Sequence, residues 1–162
     1  VPHKTELGLV RLGLQTEAQF LDAFYELNSR ISAADGVLVA RHVAGRQELA
    51  LGERDDASFG TVVLVGDGGI YLEALKDFQL LLPPFDEDEV HAALRKLRIA
   101  PLFAGVRGAP PLDAAAYARM AVRLGDAMLA WRGELASVDL NPVMLFERGA
   151  GALAVDALIE RV

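Results

Sequence analysis

Ser137-Val-Asp-Leu-Asn-Pro-Val-Met144, answered further on by Ala154-Val-Asp-Ala157, is the stretch that decides how this chain is read. Asp139 and Asn141 stand two residues apart in an otherwise apolar run. On a strand, side chains two apart leave the same face. Val138, Leu140 and Val143 supply the apolar counterpart. The pattern predicts two closing strands, Leu135 to Phe146 and Ala152 to Ile159, around the turn Glu147-Arg-Gly-Ala-Gly151. Asp156 then falls on the returning strand among Ala154, Val155 and Ala157, facing the first strand. Oxygen donors converging in this way suit a hard cation such as Mg²⁺ that shares its shell with phosphate oxygens. The residues alone fit a second reading as well, a pair of solvated strand-end acids and a turn asparagine before Pro142.

Working outward, Pro110-Pro111 and the cap Asp113 open the strongest helix, and Gly133 stops it. Tyr117, Met120, Ala121, Leu124, Met128 and Trp131 form its apolar stripe and are assigned to the core. Asp86 through Glu89, then Arg95, Lys96 and Arg98, mark the two ends of another helix, a charge order that suits the helix dipole. Thr16 caps a third, with Gln19 completing a capping box. Phe20, Leu21, Phe24, Leu27 and Ile31 are its buried face, and Asp35-Gly36 its end. Strands are expected at Leu7 to Leu14, Val37 to Ala40, Glu48 to Leu51 and Thr61 to Val65, with Ile70 to Leu75 extended. Gly66-Asp67-Gly68-Gly69 reads equally as a hairpin turn or as a loop whose amides approach phosphates. Strand clusters broken by three main helices, without a regular βαβ repeat, predict an α+β fold on a mixed, largely antiparallel sheet.

A net charge of -7 argues against a basic nucleic-acid face. An anionic ligand therefore needs metal ions, backbone amides or single Lys and Arg residues. Apolar runs such as Thr61-Val-Val-Leu-Val65 are far too short to span a bilayer, so no membrane partner is expected. The absence of Cys excludes a disulfide scaffold and a thiolate metal site, and agrees with a cytoplasmic protein. Val1 in place of an initiator Met is read as an internal residue of a longer chain.

Other segments fall into a familiar order with the closing strands: Pro2-His-Lys-Thr-Glu6, Gly8-Leu-Val-Arg-Leu-Gly13, Glu48-Leu-Ala-Leu-Gly52, Phe59-Gly60, Gly68-Gly69, Glu73, Lys76-Asp77 and Gly105-Val-Arg-Gly108. Over essentially its whole length the chain resembles the ATP-grasp domain of ADP-forming acyl-CoA synthetases and of the β half of succinyl-CoA synthetase. The resemblance implies an ATP-grasp-like fold. Residues 1–44 would be a remnant of the N-terminal lid lobe, and residues 45–162 the C-terminal lobe carrying the metal site. It implies Asn141 and Asp156 as magnesium ligands with Asp139 beside them, and Lys4, Glu48, Gly68, Gly69 and Glu73 at the nucleotide. Arg107 would be a phosphate or acyl-phosphate contact. His3 would relay phosphate, since a phosphohistidine splits one transfer into two easier steps. His42 and His91 read as ordinary surface histidines.

The implied cofactors are ATP and Mg²⁺. The implied parent is an acid–CoA ligase that makes acyl-CoA from a carboxylic acid, CoA and ATP. Its CoA-binding half would lie in the same protein or in a partner subunit, and this segment alone is expected to be inactive and to bind ATP weakly. Three departures from the family pattern stand out: Leu9 within a usual Gly-Gly, Ala40-Arg41-His42 where Gln-Glu-Met is common, and Leu81 where Arg is common. The last two favour an alternative, a non-catalytic ATP-grasp-like sensor or scaffold module of a larger acyltransferase.

Overall fold

In the computed structural model, residues 7–30, 36–56, 58–69 and 76–162 are described. Their elements in chain order are α1 (Glu17–Arg30), β1 (Gln47–Asp56), β2 (Gly60–Asp67), β3 (Phe78–Leu81), α2 (Glu87–Leu94), α3 (Ala100–Phe103), α4 (Ala114–Ala130), β4 (Leu135–Leu145), β5 (Ala152–Ala154) and β6 (Leu158–Arg161). Contacts gather the chain into two units, Val1–Val43 and Ala44–Val162.

The second unit is built on one antiparallel sheet in the order β3-β2-β1-β4-β5, with β6 pairing further along β4. Leu49 and Leu51 on β1, and Val63 and Val65 on β2, alternate along their strands and are fully buried. α2 and α4 cover that face with Val90, Ala93, Leu94, Tyr117, Ala118 and Ala121. Burying each large aliphatic side chain stabilises the unit by roughly 1.5–3 kcal/mol. Tyr117 has no exposed surface, and its hydroxyl donates to the Ala50 carbonyl at 2.6 Å. That bond pins α4 to β1, and burial pushes the phenol's pKa well up. Glu48 and Arg54, which alternate with the buried β1 residues, are exposed on the opposite face of the sheet.

Both helices on this face are capped as their sequences dictate. Asp86 accepts from Glu89 N–H at 2.9 Å while the Glu89 side chain accepts from Asp86 N–H at 3.1 Å, a complete capping box on α2. Asp113 accepts from Ala116 N–H at 3.2 Å and caps α4. The helix expected to run to Arg98 instead ends at Leu94 and is followed by the separate turn α3, with Pro101 in its first turn. Trp131 does not join the core: it is the C-cap of α4 and is 56% exposed, because the stripe outruns the sheet it packs on.

In the first unit, α1 begins after Thr16, whose hydroxyl accepts from Gln19 N–H at 3.2 Å. The Gln19 side chain accepts from Gln15 N–H at 2.9 Å rather than closing the box on Thr16. The strands expected at Leu7 to Leu14 and Val37 to Ala40 do not form among the described residues. A strand needs a neighbour for its N–H and C=O groups, and no described segment pairs with either. Arg11 instead holds α1 through Glu26. Ile31, Asp35 and the expected extension Ile70 to Leu75 lie outside the described residues. Among the described residues no helix is long and apolar enough to cross a membrane.

Candidate functional site

Pro142 has no N–H to give a strand ladder, and the sheet yields around it. Leu49 pairs with Val143 and Leu51 with Leu140, so Asn141 and Pro142 together oppose the single residue Ala50. This is a β-bulge, a device that re-aims side chains next to it. Strict alternation would put Val143 on the same face as Asp139. Past the bulge Val143 is fully buried, while Asp139 is exposed.

The other edge of β4 breaks at the same place. Val143 pairs with Ala154 and Asp139 with Leu158, while residues 155–157 between them are not strand. Continuing that register through the break sets Asp156 opposite Asn141. Val155 N–H still donates to the Pro142 carbonyl at 3.1 Å, but proline returns no donor. Asp156 therefore sits in the link between β5 and β6, not on a continuous returning strand as the sequence pattern suggested.

The Asp139 carboxylate senses the charge of Asp156. Burial first, and the Asp156 charge second, hold the Asp139 carboxyl above the ordinary carboxylate range. Like charges held together this way are relieved either by a proton or by a cation. Asp156 Oδ1 accepts from Ala157 N–H at 2.9 Å, and Asn141 Oδ1 accepts from Gly69 N–H at 3.0 Å. A carbonyl oxygen has two lone pairs, so Asn141 keeps one for a further partner. Among the described residues no three His, Cys, Asp or Glu side chains gather as a cage. Two carboxylates and an amide suit Mg²⁺, which commonly binds through one or two carboxylates and completes its shell with water and phosphate oxygens.

The glycine segment adjoins this group. Gly66 lies inside the β2–β3 ladder opposite Phe78, so Gly66 to Gly69 is not a tight hairpin turn. Gly68 N–H donates to the Glu48 carbonyl at 3.1 Å, and a Cβ on Gly68 would come within 2.4 Å of the Leu49 backbone. Gly69 has φ +74, and a Cβ there would meet the Glu48 carboxylate at 2.2 Å. Both positions are closed to side chains, one by sterics alone and the other also by its left-handed backbone. Asp67 locks the approach by accepting from Gln47 Nε2 at 2.9 Å and Gly68 N–H at 3.2 Å. Glu48, Gly68, Gly69 and Asn141 thus form one contiguous group, with Asp139 two residues along the same strand and Asp156 across the break.

Arg107 is not tied to this group among the described residues. It is exposed, adopts φ +51 in the turn between α3 and α4, and has no described bond to Asp139, Asn141 or Asp156. His3, Lys4 and Glu73 lie outside the described residues. Sequence reasoning missed the bulge and gave no role to Asp77, a buried carboxylate that accepts from Arg98 N–H at 2.8 Å. It also missed the reach of Asp113 beyond its helix, to the N–H groups of Gly149 and Gly151, each at 2.9 Å. The Asn-Pro pair in mid-strand was the available signal for the bulge, because proline in a sheet is confined to edges, first positions and bulges.

Comparison with known proteins places this geometry in context. A family model described as an ATP-grasp domain matches residues 1–160. A trans-feruloyl-CoA synthase from an unknown prokaryotic organism is 39% identical over 97% of this chain, which spans only 23% of that protein. The ADP-forming acetate–CoA ligase I of Archaeoglobus fulgidus is 34% identical over 92% of the chain and 22% of its own length. The beta subunit of the ADP-forming acetate–CoA ligase II of Pyrococcus furiosus is 29% identical, with 97% of this chain and 69% of that subunit covered. Among solved structures, the dinucleotide-forming acetyl-coenzyme A synthetase 1 of Ca. Korarchaeum cryptofilum, in complex with coenzyme A and Mg-AMPPCP, superposes with a TM-score of 0.87 at 28% identity. The match covers 99% of this chain and 71% of that one.

Proposed function

We propose, from the premise that the chain belongs to the ATP-grasp domain family, that it supplies the magnesium–ATP part of an ADP-forming acid–CoA ligase. The observation that carries this reading is the paired Asp139 and Asp156, with Asn141 tied to the Gly68–Gly69 segment. Asp139, Asn141 and Asp156 hold Mg²⁺, whose charge offsets that on a phosphoryl group in transfer. Gly68 and Gly69, packed against β1 with their N–H groups bonded to Glu48, Asp67 and Asn141, line the nucleotide site with Glu48 as fixed backbone rather than as free donors. Lys4 and Glu73 complete the nucleotide contacts, Arg107 meets a phosphate or acyl phosphate, and His3 relays the phosphoryl group as a phosphohistidine. A CoA-binding half, in the same protein or in a partner subunit, brings the acid and CoA. In this reading residues 1–44 belong to the lid lobe, residues 45–162 to the C-terminal lobe, and the protein works in the cytoplasm.

A second reading, a nucleotide-sensing module without catalysis, is favoured by Arg41, an exposed base where the family commonly carries an acid. The two are separated by measuring ADP formed from ATP with CoA and a carboxylic acid, in the longer protein that carries this chain. Asp156→Ala is expected to cut turnover by about two orders of magnitude or more, the scale of removing preorganised charge stabilisation, with the fold intact. Near wild-type turnover in that variant would refute the metal role. Tight Mg·ATP binding without any turnover in the wild type would favour the sensor.

A further inference from the structure

On the helix-covered side of the second unit, and sharing no residue with the Asp139–Asn141–Asp156 group, a cleft of about 400 Å³ opens between the end of α2, α3 and the start of α4. That volume is within the range of roughly 300–1,000 Å³ occupied by small-molecule sites. Its floor is apolar: Leu94 and Leu112 are buried beneath it, and Phe103 forms one wall. Two cationic side chains without a partner among the described residues line it, Arg95 at the C-cap of α2 and Arg148 in the β4–β5 turn, beside the half-buried His91. In a chain of net charge -7 this is a local reversal of sign.

The acid that lines it is bonded to backbone donors and to neither arginine. Asp113 lines the cleft, but its carboxylate accepts from the N–H groups of Ala116, Gly149 and Gly151. Glu147, beside Arg148, is paired with Arg46 at 2.8 Å. Glu89 of α2 is spent on its capping box. Arg148 is also held in place, since its N–H donates to the Pro111 carbonyl at 2.8 Å and its turn is fixed at Gly149 and Gly151 by Asp113. The first turn of α4, a 17-residue helix already capped by Asp113, contributes Ala114 and Ala115 to the wall.

We infer that this cleft binds a small organic anion with an apolar body, an aryl or short alkyl carboxylate. Its carboxylate meets Arg95 and Arg148, and its body lies on Leu94, Phe103 and Leu112. An arginine fork matches a planar carboxylate, and the apolar floor rejects a bare, strongly hydrated anion. The inference stands independently of the magnesium–ATP reading.

The test is an amide NMR titration of the 162-residue chain with three probes: cinnamate, its neutral analogue cinnamyl alcohol, and inorganic phosphate. Cinnamate is expected to give saturable shifts at Leu94, Arg95, Leu112 to Ala115 and Arg148, with cinnamyl alcohol and phosphate each binding about tenfold or more weakly, the scale of a lost charge-assisted contact. The double variant Arg95→Gln/Arg148→Gln should weaken cinnamate by a similar factor, and Ala104→Trp, at an exposed wall position, should block it. Asp156→Asn should leave it unchanged, since the two sites are separate. Phosphate binding as tightly as cinnamate, unchanged cinnamate binding in both cleft variants, or shifts centred elsewhere would each overturn the site.

Discussion

Asp113 and Asp139 are carboxylates of the same unit set in opposite surroundings. Asp113 is buried, yet three backbone N–H groups converge on it. Burial pushes its carboxyl up, but those donors, helped by Arg119, hold it below the ordinary range. Asp139 has no described donor and faces Asp156, and its carboxyl is held above the ordinary range. The first charge is consumed by the fold, where it clasps the start of α4 to the β4–β5 turn. The second is left unmatched at a break in the sheet. Perturbed carboxylates of the second kind concentrate at binding sites, which is why the proposed metal site is drawn at the pair and not at the clasp.

The comparison breaks most visibly at the clasp. Asp113→Ala should lower stability by about 2–4 kcal/mol, combining a lost helix cap with two further N–H groups left without their acceptor, as read from the urea midpoint. Because the folded carboxyl lies below its unfolded value, its contribution is present above the unfolded pKa and is lost as pH falls through the lower folded one. The variant should therefore lose less stability than wild type on acidification. An unchanged midpoint would show that Gly149 and Gly151 are held by something else.

Gly68→Ala comes next. Its Cβ would meet the backbone of Leu49, which cannot swing aside as a side chain can, and overpacking of this kind costs roughly 1–3 kcal/mol. A variant as stable as wild type would mean that the glycine segment is looser than its fit against β1 indicates.

Asp156→Asn should have the smallest effect on stability and an opposite sign to the clasp. Asp139 has a raised folded pKa, so stability gained by its protonation at low pH is lost as pH rises through that value. Removing the Asp156 charge relieves the repulsion. Stability at neutral pH should hold or rise slightly, and the Asp139 carboxyl, followed by carbon NMR, should titrate lower than in wild type. An unmoved titration would show that the two carboxylates do not interact.

Regular patterning made much of the second unit legible from its residues. The β-branched run Thr61 to Val65 marked β2, the stripe from Tyr117 to Met128 marked α4, Asp86 to Glu89 marked the start of α2, and Asp113 marked a cap that forms as expected. The convergence around Asn141 was legible as a group of oxygen donors but not as a geometry. Period-two counting cannot see that Asn141 and Pro142 share one partner on β1, nor that the returning strand lets go at residues 155–157. The strands expected at Leu7 to Leu14 and Val37 to Ala40 failed for a different reason. Apolar runs announce strand propensity, while a strand exists only where another segment accepts its hydrogen bonds. Trp131 failed because helical spacing says which face a residue takes, not how far the sheet extends beneath it.

The proposed joint binding of a divalent cation and its nucleotide by Asp139, Asn141 and Asp156 is tested directly by paramagnetic NMR with Mn²⁺·ATP as a magnesium stand-in. In the wild-type chain, amide signals of Gly69, Asp139, Asn141 and Ala157 should broaden first, and they should stay sharp in Asp139→Asn/Asp156→Asn under the same conditions. Broadening centred instead on the acidic first turn of α2, or persisting at Gly69 and Asn141 in the double variant, would contradict the assignment.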